Sequence, residues 1–108
     1  MAVTESNNGS QTATISTEHT LATITTPGVY VLRVDVNALA LGDRLVLRAK
    51  VRARSADTTR QLFSAVFEHA QADKIADSIP VPVVHELVWT LQQTAGTGRA
   101  FPWSVLSL

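Results

Sequence analysis

Cysteine is absent from the 108-residue chain, which excludes a disulfide framework, a thiolate metal site and a thiol nucleophile. Such a chain suits a reducing compartment or is indifferent to one. Net charge is missing too. Nine Lys and Arg balance nine Asp and Glu, whereas a general nucleic-acid coat is clearly basic. Aromatics are scarce, with two Trp, one Tyr and three Phe, too few to interleave a basic surface with base-stacking rings. No apolar run approaches the length of about 18 residues that a membrane span needs, and the opening stretch Met1 to Gln11 is polar, without a signal-peptide core.

What is present points to β structure. Hydrophobic residues make up 45% of the chain against 17% charged, enough to build one core, and the length allows one domain. Val, Ile and Thr supply 30 of the 108 residues, while good helix formers are scattered. Runs of period two recur between Gly, Pro, Asn and Asp, the layout of an antiparallel sandwich or barrel.

Residues 1–11 hold a single aliphatic side chain larger than Ala, Val3, and read as a flexible N-terminal arm ahead of a domain over 12–108. Thr12 to Ser16 and His19 to Thr25 alternate weakly and lead to a Pro27-Gly28 turn. Val29 to Val36 places Tyr30, Leu32, Val34 and Val36 on one face. Arg44 to Arg54 is the most regular stretch: Leu45, Leu47, Ala49, Val51 and Ala53 alternate with Arg44, Val46, Arg48, Lys50, Arg52 and Arg54. A helix would smear those charges around its axis, so the segment is a strand. Gln61 to His69 is a strand with Phe63, Ala65 and Phe67 on one side, although Leu62/Val66 and Phe63/Phe67 also recur at helical spacing. Gln71 to Ser78 is a loop or one helical turn. Ile79-Pro80-Val81-Pro82 is extended and belongs at an edge or a crossing between sheets. A long strand covers Val83 to Thr94, a tight turn Thr94 to Gly98, and a last strand Arg99 to Leu108.

The expected fold is therefore all-β: a single antiparallel β-sandwich, jelly-roll or immunoglobulin-like, of seven or eight strands with a flexible arm. Its expected core is Trp89, Trp103, Phe63, Phe67, Leu45, Leu47, Leu32 and Val34. Each such side chain contributes roughly 1.5–3 kcal/mol on burial, before entropy is subtracted.

No catalytic, cofactor or metal site emerges. His19, His69 and His85 fall on three separate segments, with no His-x-His or His-Glu-x-x-His spacing. No Ser lies in Gly-x-Ser-x-Gly or Ser-x-x-Lys. Glu68 and His69 are adjacent on a strand and point to opposite faces, so they cannot share a pocket. Gly96-Thr97-Gly98-Arg99 looks like a phosphate loop but lacks the helix after it, and Phe101-Pro102-Trp103 would start one poorly; a hairpin turn is the simpler reading.

The row Arg44, Arg48, Lys50, Arg52 and Arg54 is the candidate partner-binding site. Between Arg44 and Arg60 stand six basic residues and one acid, Asp57. Same-face neighbours on a strand lie about 7 Å apart and repel unless countered. Three counterparts are open: acids on neighbouring strands (Asp35, Glu68, Glu86), an acidic patch on another protein, and nucleic-acid phosphate, for which overall basicity and exposed aromatics are lacking.

His19-Thr20-Leu21-Ala22-Thr23, Gly28-Val29-Tyr30-Val31-Leu32-Arg33-Val34-Asp35, Leu41-Gly42-Asp43-Arg44-Leu45-Val46-Leu47-Arg48 and Leu91-Gln92-Gln93-Thr94-Ala95-Gly96-Thr97-Gly98-Arg99-Ala100-Phe101-Pro102-Trp103 together resemble small proteins encoded among the structural genes of tailed bacteriophages. The resemblance spans about residues 18–108 and involves no catalytic motif. It implies a virion component made in the host cytoplasm: a capsid decoration (cement) protein, a head or neck accessory, or a tail-associated protein. With no catalytic site in the sequence, the expected function is that of a non-enzymatic capsid decoration/cement or head-accessory protein; the alternative is a tail-associated module binding host surface or carbohydrate, which would need exposed rings from Tyr30, Trp89 or Trp103. The expected partners are the major capsid protein or another virion subunit, and further copies of the chain as a homo-oligomer. Charge balance and hydropathy leave nucleic acid and membrane off that list, and no motif calls for a cofactor.

Overall fold

The computed structural model describes residues 3–108. Nine strands form without a helix: β1 (Thr4–Thr12), β2 (Glu18–Ile24), β3 (Gly28–Asp35), β4 (Arg44–Val51), β5 (Arg60–Glu68), β6 (Ile75–Asp77), β7 (Val81–Val83), β8 (Leu87–Ala95) and β9 (Ala100–Ser107). With no helix among the described residues, none is long and apolar enough to cross a membrane.

Every pairing is antiparallel, in two sheets. One runs β1-β9-β3-β6, with β7 also on β3; the other runs β2-β8-β4-β5. β7 and β6 cover opposite ends of the same β3 edge, Val81 to Val83 against Gly28 to Tyr30 and Ile75 to Asp77 against Arg33 to Asp35. Ser78 splices the gap. Its amide donates to the Leu32 carbonyl (2.8 Å) and its Oγ accepts from the Leu32 amide (3.0 Å), so neither buried backbone group of Leu32 is orphaned. Counting β6 and β7 as one interrupted strand leaves eight, in two four-stranded sheets whose order is that of a jelly roll. The sandwich is as expected, and of the two alternatives the immunoglobulin-like order is not the one formed.

Alternation in the sequence translates directly into the core. Tyr30, Leu32 and Val34 of β3, Leu45, Leu47 and Ala49 of β4, Leu87, Trp89 and Leu91 of β8, and Phe101 and Val105 of β9 are buried between the sheets. Phe63, Phe67 and Trp103, expected in the core, are only half-buried against it. Both Phe lie on β5, an edge strand with no neighbour on its outer side.

Four expectations are corrected. Residues 4–12 of the anticipated arm form β1, paired with β9 from Thr4↔Ser107 to Thr12↔Ala100; residues 1 and 2 of it lie outside the described residues. The ladder uses backbone groups alone, so a strand with almost no buried side chain forms without an apolar pattern. The strand at 44–54 stops at Val51, and Arg52 and Arg54 sit in the β4–β5 connection. The expected strand over 83–94 is two, because 84–86 carry the chain from one sheet to the other. Alternation survives that corner since Val83, Leu87, Trp89 and Leu91 enter the same core from its two sides. Likewise 96–99 is no hairpin: β8 and β9 belong to opposite sheets.

Candidate functional site

Two polar constructions stand out, one on the outer face of the four-stranded sheet and one at an end of the sandwich. On the outer face, β4 runs between β8 and β5, and its outward residues are flanked on both sides. Val46 faces outward yet is buried, level with Val66 of β5 and Gln92 of β8.

The basic row is countered throughout. One Glu18 oxygen, reaching from β2, accepts from the Thr90 hydroxyl (2.7 Å) and meets Lys50 Nζ at 3.0 Å and Arg48 Nη1 at 3.4 Å. The Thr90 hydrogen bond draws the Glu18 carboxyl below its ordinary value; desolvation opposes it, and Lys50 and Arg48 reinforce it. Arg48 also donates to Gln92 Oε1 (2.7 Å), whose own amide donates to the Ser16 carbonyl (3.0 Å). Arg44 meets Glu68 (3.3 Å) and donates to Thr94 Oγ1 (3.0 Å). Arg52 approaches Glu86 at 3.4 Å and donates to the Ser55 carbonyl (3.1 Å). Arg54 grips Asp57 through two parallel hydrogen bonds of 3.0 Å. Of the anticipated counter-ions, Glu68 and Glu86 serve. Asp35 lies on β3 of the other sheet.

Glu18 was not foreseeable, because it reaches β4 from the far side of β8 and nothing in the sequence ties residue 18 to residue 48. Five cations and four carboxylates therefore form a nearly neutral row of four separate ion-pair clusters, Arg44 with Glu68, Arg48 and Lys50 with Glu18, Arg52 with Glu86 and Arg54 with Asp57. Individually such exposed pairs contribute only about 0–1 kcal/mol; their effect is to fix long side chains in place.

The second construction centres on Asp43, 1% exposed. Its carboxylate accepts from the amides of Ala40 (2.9 Å) and Thr97 (3.1 Å) and from Arg99 Nε (3.0 Å). Burial by itself raises this carboxyl, but the Ala40 and Thr97 amides and the Arg99 guanidinium outweigh it and hold it below its ordinary value. Buried Gln93 completes the corner, donating to the carbonyls of Ala95 (3.1 Å) and Thr97 (2.6 Å) and accepting from the Arg99 amide (3.1 Å). Gly96 has φ +91°, and a Cβ there would collide with the Asp43 carboxylate and lie 2.7 Å from its Cα. The segment that superficially looked like a phosphate loop thus wraps a carboxylate of the chain itself.

The three histidines stay apart in role. His19 Nε2 accepts from the Thr14 amide (3.1 Å), His69 Nδ1 from the Gly42 amide (2.9 Å), and His85 lies in the 84–86 corner. Among the described residues no three His, Cys, Asp or Glu side chains gather in a metal-holding group. A hollow of about 480 Å³ opens beside the β4–β5 connection, lined by Val51, Ala53, Asp57, Arg60, Gln61 and Leu62. No protein-family model, curated protein or solved structure matches the chain.

Proposed function

We propose that the chain is a non-enzymatic structural component of a tailed-phage virion, a capsid decoration (cement) or head-accessory protein. It docks on the major capsid protein or another virion subunit and travels in the particle after synthesis in the host cytoplasm. The sequence resemblance supports this reading, and so does the jelly-roll order, which recurs in capsid domains, although a fold alone assigns no role.

The observation that carries the proposal is the row of ion pairs along β4 and the β4–β5 connection beside it. Arg44, Arg48, Lys50, Arg52 and Arg54 are already held by carboxylate partners. A surface whose long side chains are fixed beforehand loses little entropy on docking. Repeated over a shell, modest identical contacts add through avidity. Near-neutrality favours a protein surface over nucleic-acid phosphate as the counterpart. A carbohydrate-binding tail module would need exposed rings, but Tyr30 and Trp89 are buried, leaving half-buried Trp103.

The test is mass spectrometry of washed, purified particles. A copy number comparable with that of the major capsid protein is expected; absence from the particles overturns the proposal.

A further inference from the structure

Each sheet ends in edge strands, and three of the four edges carry features that discourage further pairing. β1 presents only polar side chains and Gly, most of them exposed on both faces. β2 is interrupted by a register shift between Thr20 and Ala22. β6 and β7 are three residues each, with Pro82 inside β7. Short strands, bulges, Pro and polar surface are the ordinary means of blunting an edge.

β5 differs. It spans nine residues and pairs with β4 alone. Its one irregularity lies near its start, where register slips between Ala49 and Lys50, so Phe63 to Glu68 run flush. This edge is also apolar on both faces. Leu62 and Val66 are 51% and 47% exposed, while Phe63 and Phe67 are half-buried against the margin of the core.

The strand is complementary to itself. Laid antiparallel to a second copy about Ala65, it sets Phe63 of each copy opposite Phe67 of the other, on the core side. The smallest of these side chains, Ala65, then falls at the two-fold axis. The ends carry opposite charge, Arg60 at the start and Glu68 at the finish. Arg60 is the one basic residue between 44 and 60 that meets no carboxylate within 4.0 Å among the described residues. Antiparallel pairing lays the Arg60 end of one copy along the Glu68 end of the other, whereas parallel pairing would set like end beside like end.

We propose that two copies of this chain join along β5, antiparallel about Ala65, merging their four-stranded sheets into one continuous eight-stranded sheet. The dimer is isologous and closed by its two-fold. It stands whether or not the protein belongs to a virion.

The native absence of cysteine gives a clean test. Ala65→Cys in the full chain is oxidised mildly and run on non-reducing gels, with Ser10→Cys on the β1 edge as control. At the axis the two Cα atoms lie within disulfide reach. The expected result is a covalent dimer from A65C and none from S10C. Sedimentation of the unmodified protein is expected to show a dimer dissociating in the micromolar range. V66K, an exposed change on the same strand, is expected to be monomeric with an unchanged circular dichroism spectrum. A monomer for the unmodified protein at every concentration, a dimer indifferent to V66K, or equal cross-linking of A65C and S10C overturns the proposal.

Discussion

Replacing Asp43 by Ala tests the account of the sandwich end most severely. The substitution removes three accepted hydrogen bonds at once, from the Ala40 and Thr97 amides and Arg99 Nε. A donor left without its partner in a buried site costs about 1–3 kcal/mol. Thr97 is exposed and Arg99 one-third exposed, so water recovers part of the loss there. The Ala40 amide and the vacated space are less easily repaired. The net expectation is roughly 2–4 kcal/mol, a large share of the 5–15 kcal/mol typical of a domain. Urea unfolding followed by tryptophan fluorescence measures it, Trp89 being fully buried.

Acid gives an independent check with a definite sign. The folded Asp43 carboxyl is held below its ordinary value, so folding gains from its ionisation. That gain is complete above the ordinary Asp value of about 3.9 and is lost as pH falls from there through the folded value. The stability difference between the natural protein and D43N should therefore be constant near neutrality and shrink in acid. A D43A protein within about 1 kcal/mol of the original, or a D43N difference that does not change in acid, would refute the reasoning.

Other outcomes follow from single positions. Gly42 and Gly96 both have positive φ, but only at Gly96 is the Cβ space occupied; G42A should cost about 1 kcal/mol and G96A clearly more in the same assay. S78A should leave the Leu32 amide without its acceptor and cost about 1–2 kcal/mol, read by urea titration and by faster amide exchange at Leu32. E18Q should lower stability by less than about 1 kcal/mol, since the group is partly exposed; salt should weaken the effect, and NMR should show Arg48 and Lys50 side chains becoming more mobile.

The parts of this fold legible in the sequence are those where one strand face is wet and the other dry. Val29 to Val36, Arg44 to Val51 and the Leu87 to Leu91 stretch alternate because a sheet face sits over a core, and the structure places them accordingly. β1 is invisible to that logic, since neither of its faces meets the core and its ladder is made by backbone groups common to every sequence. The corner at 84–86 hides for the opposite reason: its neighbours keep perfect alternation while changing sheets. In the basic row, local pattern shows that charges need partners but not which ones. Glu68 and Glu86 are guessable from adjacency, whereas Glu18 and the Asp43–Arg99 pair depend on how distant strands close. Asp43 carries one clue, its place after Gly42 in a turn, which is common to many solvent-facing aspartates.

The pairing of β1 with β9 sets an order of events during synthesis. Residues 4–12 leave the ribosome well before residues 100–107, their only ladder partner. Sequential strands pair just once among the described residues, β4 with β5, so most of the architecture awaits chain from far downstream, which slows assembly. A nascent segment that must idle so long is safest when nothing in it is sticky. The polar makeup of β1, unhelpful for building a core, lets it wait without aggregating until its mate arrives.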